Sequence, residues 1–160
     1  MMDESVGVRA VEELGRRFRF PEDAELLDGG TSGVELLPYL RDRDCLIIID
    51  AIKSGNPPGT VLKVEGHDIP AKFRTRISPH QLGISDLLAV ATLSGELPGH
   101  VVLFGIEPKI VEVGLGLSEE VKEGFERLLE AVTGELKSIG CRVEPAGKEI
   151  SGKKNMWGEI

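Results

Sequence analysis

The sequence predicts an α/β fold: a three-layer sandwich in which a mainly parallel, twisted sheet is covered by helices on both faces. Two apolar runs carry that expectation, Cys45-Leu46-Ile47-Ile48-Ile49 and Val101-Val102-Leu103-Phe104-Gly105. Each is too short for a helix and has no polar face, as a strand buried on both sides requires. Around them lie segments whose apolar residues recur every three or four positions. Strands therefore alternate with helices along the chain.

The elements follow in order. Val8, Val11, Leu14 and Phe18 stand at helical spacing, which predicts an amphipathic helix from about Val6 to Arg19, stopped by Pro21. Ala24 to Leu27 reads as a short strand entering the loop Asp28-Gly29-Gly30-Thr31-Ser32-Gly33. Ser32 and Glu35 match a capping box for a helix through Leu36, Leu37 and Leu40, which Pro38 should kink or delay. The Cys45–Ile49 strand ends at Asp50. Asn56-Pro57-Pro58-Gly59 is a turn, Val61, Leu62 and Val64 make a strand, and Gly66 to Ile77 has no period, as a surface excursion would not.

Ser78, Pro79 and Gln81 then read as the N-cap, first and third residues of a helix that turns Ile84, Leu87, Leu88 and Ala91 inward. The Val101–Gly105 strand follows, and Pro108 to Leu117, with two glycines, reads as a mobile loop. Ser118 caps the last helix, with Glu119 and Glu120 in its first turn. Its apolar face is Val121, Phe125, Leu128, Leu129, Val132, Leu136 and Ile139, and Gly140 ends it.

A chain of 160 residues is expected to form one domain, here 1–145, followed by a polar tail, 146–160. A net charge of −8 argues against a broad nucleic-acid surface. No apolar run approaches the roughly 18 residues of a spanning helix, and no secretory h-region opens the chain. The expectation is a cytoplasmic protein with no membrane insertion. Cys45 and Cys141, far apart and in no Cys-x-x-Cys arrangement, read as reduced thiols in or near the core.

His80 is the one histidine that looks placed. In the first turn of its helix it meets an electropositive end, which favours the neutral, ligating imidazole. Asp28 and Asp50 stand at expected strand carboxyl ends, where α/β sheets bind ligands, and chain geometry can bring Glu4 to the same rim. Glu4, Asp50 and His80 would make a mixed nitrogen and oxygen set suited to Zn²⁺, Ni²⁺, Fe²⁺ or Mn²⁺, with positions open for substrate. Each residue also has a plain alternative: Asp50 a loop cap, His80 a helix-start hydrogen bonder, Glu4 an exposed acid. The Gly29-Gly30-Thr31-Ser32-Gly33 loop can cradle an anion on its N–H groups or be a tight turn only. It is neither a Walker loop nor a dinucleotide fingerprint.

Four stretches together resemble the nickel–iron hydrogenase maturation endopeptidases. They are Asp3-Glu4-Ser5-Val6-Gly7-Val8-Arg9, Leu27-Asp28-Gly29-Gly30-Thr31, Ile48-Ile49-Asp50-Ala51 and Ser78-Pro79-His80-Gln81-Leu82-Gly83, and the likeness runs from Asp3 to about Pro145. The resemblance implies an enzyme that removes a C-terminal peptide from the hydrogenase large-subunit precursor after nickel insertion. It implies Glu4, Asp50 and His80 as the residues that meet the nickel, which arrives with the precursor; Zn²⁺ or another divalent ion can take the place in isolation. Gly29, Gly30, Thr31 and Gln81 are then the expected substrate contacts, and Asp28 a candidate base. The alternatives are a non-catalytic module holding an anion at Gly29-Gly30, or another hydrolase on the same architecture using Zn²⁺. The family opens with a strand and a Gly-x-Gly-Asn turn, whereas Met1-Met2 align inside the segment that follows. Either a start assigned downstream of the true one or a shortened protein accounts for this.

Overall fold

The computed structural model describes residues 6–29, 33–69, 79–109 and 117–147, with the backbone alone at 79–82. The helices are α1 (Val6–Arg17), α2 (Leu37–Leu40), α3 (Pro79–Ser94) and α4 (Glu119–Ser138). The strands are β1 (Phe18–Arg19), β2 (Cys45–Ala51), β3 (Val61–Glu65), β4 (His100–Ile106) and β5 (Glu144–Pro145). Both long apolar runs are strands, and the alternation is that of an α/β protein.

β2, β4 and β3 form one sheet in that order, and β1 pairs antiparallel with β5 in a second, with Phe18 opposite Pro145 and Arg19 opposite Glu144. Hydrogen bonds at the strand ends fix the directions in the larger sheet. The His100 N–H donates to the Asp44 carbonyl and the Ile52 N–H to the Ile106 carbonyl, so β2 and β4 run parallel. The Gly59 N–H donates to the Glu107 carbonyl, at the far end of β4 from the close approach of Gly66 to Val101, so β3 runs antiparallel. The described sheet is thus mixed.

The chain forms two compact units, each assembled from separate stretches. The first comprises Met1–Asp28, Ile49–Val61 and Gly105–Ile160. In it α1 packs on α4. The Ser118 hydroxyl accepts the Val121 N–H at 3.3 Å, so the predicted cap is in place, and Gly140 (φ 88°) follows the helix end. α4 buries Val121, Phe125, Leu128, Leu129 and Val132. At roughly 1.5–3 kcal/mol for each such side chain, burial outweighs the ~1 kcal/mol of a cap several-fold. Leu136 is half-buried and Ile139 exposed, because the last turn runs past the core.

α1 departs from its expected face. It buries Val6, Gly7, Ala10, Glu13 and Leu14, while Val8 and Val11 are only half-buried. It also stops at Arg17, short of Pro21, where the chain turns into the β1–β5 ladder, extended by the Ala146 N–H on the Arg17 carbonyl. Glu13 is fully buried and tolerated there because Arg16 and Arg17 both hydrogen-bond its Oε1. Arg17 also grips Glu126 on α4 in a two-pronged pair at 2.7 and 2.8 Å.

Burial pushes the Glu13 carboxyl up, but the hydrogen bonds and charges of Arg16 and Arg17 outweigh it and hold the group below its ordinary range. The Arg17 hydrogen bond lowers Glu126 likewise. A carboxyl with a depressed folded pKa contributes stability that is complete above its unfolded value and is lost as pH falls through the folded one. Acid melting should therefore steepen below about pH 4.3, the unfolded glutamate value. In Glu13→Gln the melting temperature should fall less steeply with acid than in the wild type. Parallel slopes would show that this network carries none of the acid sensitivity.

The second unit comprises Gly29–Ile48 and Leu62–Phe104. A 3₁₀ turn over Gly33–Leu36 precedes α2, whose first turn holds Pro38. The predicted delay is what occurs: proline lacks only an N–H that a first turn leaves unbonded. Leu40, Leu87 and Ala91 form the core here, with Leu36, Leu37 and Leu46 against it. α3 begins at Pro79 as the sequence indicates, and Ser78 lies outside the described residues.

Other expectations fail or fall outside. Ala24–Leu27 is not a strand among the described residues: it is irregular, with Leu26 and Leu27 exposed. Gly66–Asp68 is a single 3₁₀ turn. Residues 70–77, most of the Pro108–Leu117 loop and the tail from 148 lie outside the described residues. Cys45 and Cys141 are not joined in a disulfide, and both are half-buried.

Candidate active site

Asp50 sits where the apolar run of β2 ends. Its side chain is 2% exposed, and its Oδ1 accepts the Ala51 N–H at 2.9 Å. The start of α1 abuts this point. A Cβ built on Gly7 would stand 2.4 Å from the Ile49 carbonyl oxygen and 3.7 Å from the Asp50 Cα, so only glycine lets the helix come this close. The first turn of α1, which Glu4 precedes in the sequence, therefore lies directly beside Asp50. Glu4 itself lies outside the described residues.

Beyond Asp50 the chain is tied to the end of β4. The Ile52 N–H donates to the Ile106 carbonyl at 2.9 Å. Glu107, 5% exposed, accepts on its Oε1 the Ser54 N–H (2.8 Å), the Ser54 hydroxyl (2.7 Å) and the Asn56 N–H (3.0 Å). Glu107 is not among the residues that the sequence reading singles out. The signal was present, since like Asp50 it is an acid that follows a continuous apolar strand.

His80 is the second residue of α3, in the first turn as expected, with its side chain outside the description. Gly33 meets this helix: a Cβ built on it would lie 3.1 Å from the Gly83 Cα and 3.2 Å from its carbonyl oxygen. Gly30, Thr31 and the side chain of Gln81 lie outside the description, and Gly29 is half-buried, where an added Cβ would press on Leu36 at 2.9 Å. Asp28 does not end a strand. It is exposed in the irregular 24–29 segment, so the expected strand before it is corrected. Among the described residues no three His, Cys, Asp or Glu side chains stand together as a metal cage; Glu4 and the His80 side chain are not in that set. His67 is exposed beside Asp68, at 3.4 Å.

Comparison with known proteins shows the family to which this fold belongs. A family model described as hydrogenase maturation protease matches residues 8–135. The hydrogenase 2 maturation protease of Escherichia coli K12 is 42% identical over 146 residues, 91% of this chain and 89% of that protein. The hydrogenase expression/formation protein HupM of Azotobacter chroococcum is 37% identical, covering 89% of this chain and 69% of its own. Among solved structures, the E. coli hydrogenase maturating endopeptidase HybD superposes with a TM-score of 0.86 at 41% identity, over 93% of each chain. HybD from Thermococcus kodakarensis gives 0.68 at 27% identity, over 84% of this chain and 90% of that one. The scaffold is thus that of an α/β protease. The chain belongs to the hydrogenase maturation protease family, and it is an endopeptidase rather than a non-catalytic anion-binding module.

Proposed function

We propose that this endopeptidase removes the C-terminal peptide of a nickel–iron hydrogenase large-subunit precursor once nickel is inserted, meeting the nickel through Glu4, Asp50 and His80. The observation that carries the reading is the approach of α1 to Asp50 through Gly7. Glu4 is three residues before Gly7, and three residues span at most about 11 Å, so the chain can bring its carboxylate to the Asp50 side of the sheet. Two carboxylates and an imidazole suit a divalent ion such as Ni²⁺, and three protein ligands leave room for those the precursor supplies. The nickel comes as part of the substrate. In isolation the same residues would take Zn²⁺ or another divalent ion.

Gly29, Gly30, Thr31 and Gln81 remain the proposed substrate contacts, supported by the packing of Gly33 on the helix that holds His80. Asp28, exposed, stays a candidate base. No helix among the described residues is long and apolar enough to cross a membrane. A cytoplasmic site of action follows from precursor processing. The three-layer architecture with a mainly parallel sheet is likewise a proposal: the parallel β2–β4 pair favours it, and the antiparallel β3 does not. Residues 1–145 are proposed to act as one peptidase domain, because each unit draws on separate stretches of chain and neither can be excised whole.

The test is cleavage of the cognate precursor prepared with and without nickel, the released C-terminal peptide being read by mass spectrometry. Only the nickel-loaded form should be cut. Equal cleavage of the nickel-free precursor would remove nickel recognition from the mechanism.

A further inference from the structure

We infer that the loop Lys53–Pro58, held from beneath by the buried carboxylate of Glu107, is a preformed docking element for the precursor polypeptide. The inference rests on the endopeptidase reading above and adds a surface to it. All six loop residues are exposed, so the loop gains little from burial of its own. Its shape is nevertheless fixed at every stage. The Ile52 N–H binds the Ile106 carbonyl before it. In the middle, Ser54 and Asn56 share the Glu107 Oε1, and the Asn56 Nδ2 donates to the Ser54 hydroxyl at 2.7 Å. Two prolines follow, and the Gly59 N–H binds the Glu107 carbonyl at 2.8 Å while the Glu107 N–H binds the Thr60 carbonyl at 2.8 Å.

Burying a carboxylate costs several kcal/mol before its hydrogen bonds offset it, and an apolar residue could fill the end of β4 without that cost. What the carboxylate adds is one conformation for six exposed residues. A loop already ordered binds without the roughly 0.5–1.5 kcal/mol per side chain that ordering consumes at an interface. This one begins three residues after Asp50, at the carboxyl end of β2, where α/β sheets meet their ligands. Its single charge is the Lys53 ammonium. The matching partner surface is a polypeptide segment offering carbonyl or carboxylate acceptors.

The experiment is steady-state cleavage of the nickel-loaded precursor by the wild type, Glu107→Ala, Glu107→Gln and Lys53→Glu, with melting temperatures for each. Glu107→Ala should raise KM about tenfold with kcat within about twofold of wild type, the signature of lost uniform binding. Glu107→Gln should bring KM back to within about threefold, since an amide oxygen accepts the same three hydrogen bonds. Lys53→Glu, on an exposed side chain, should raise KM several-fold at an unchanged melting temperature, and it decides the matter should Glu107→Ala not fold. Glu107→Ala or Lys53→Glu, folded and with KM within about twofold of wild type, overturns the docking role. A wild-type protein that cuts no nickel-loaded precursor overturns the proposed substrate and this inference with it, whereas a wild type that cuts it beside variants of unchanged KM overturns the docking role alone.

Discussion

Asp50→Asn should abolish precursor cleavage while the melting temperature stays within a few degrees of wild type. Asparagine has the same shape, and its amide oxygen still accepts the Ala51 N–H that the carboxylate holds at 2.9 Å. The lost quantity is the negative charge, without which this position is a poor ligand for a divalent ion. Changes in a metal's outer shell already cost roughly 10–100-fold, and removal of a direct ligand should cost more. His80→Ala, at the second position of α3, should lose as much. If both residues meet one ion, the double variant should be little worse than either single, because residues that act as a unit are not additive. Wild-type turnover in either single variant would detach that residue from the nickel.

The largest loss of stability is expected at Gly59. Its φ is 87°, and an added Cβ would stand 2.2 Å from the Glu120 carbonyl oxygen in the first turn of α4. The contact is mutual, since a Cβ on Gly124 would lie 2.2 Å from the Gly59 oxygen. Backbone meets backbone, so relief requires that the helix move. Left-handed strain of ~1–2 kcal/mol and overpacking of ~1–3 kcal/mol together give roughly 2–5 kcal/mol for Gly59→Ala. In a chain of this size the melting temperature should drop by roughly 5–15 °C. Gly55→Ala is the control, because Gly55 has the same φ of 87° and nothing within 4 Å of its Cβ position. It should cost the strain alone. Equal losses at the two glycines would show that the close approach to α4 contributes nothing.

The elements that could be read from sequence are those with a local signature. β2 and β4 are unbroken apolar runs, α4 has a serine cap and a closing glycine, and α3 starts at a proline. What escaped depends on distant partners. The β1–β5 ladder joins two-residue segments more than a hundred positions apart and has no periodicity to detect. Ala24–Leu27 has a strand's composition, yet it belongs to neither ladder formed among the described residues. The α1 face was misjudged because its buried positions include a glycine and a glutamate, which are buried only through Ile49 and through two arginines. At the site, Asp50 was visible as an acid closing an apolar run. Glu107 carried the same mark and was missed, because its partners, Ser54 and Asn56, lie some fifty residues earlier.

The pairing of α1 with α4 also sets a timetable for the ribosome. Arg17 and Glu126 are 109 residues apart, so at roughly 5–20 residues per second the first helix waits about 5–20 s for its partner to be synthesised. Leu40, Leu87 and Ala91 are all translated before α4 begins, so the second unit can close its core first. The unit that bears Asp50 is the last to be completed. A nascent chain already displays that aspartate while the helix that backs α1 is still unmade, and such intermediates are the natural clients of holding chaperones. Contacts this distant in sequence also slow refolding from denaturant, so folding of the free chain should be paced by the arrival of α4 rather than by the helices themselves.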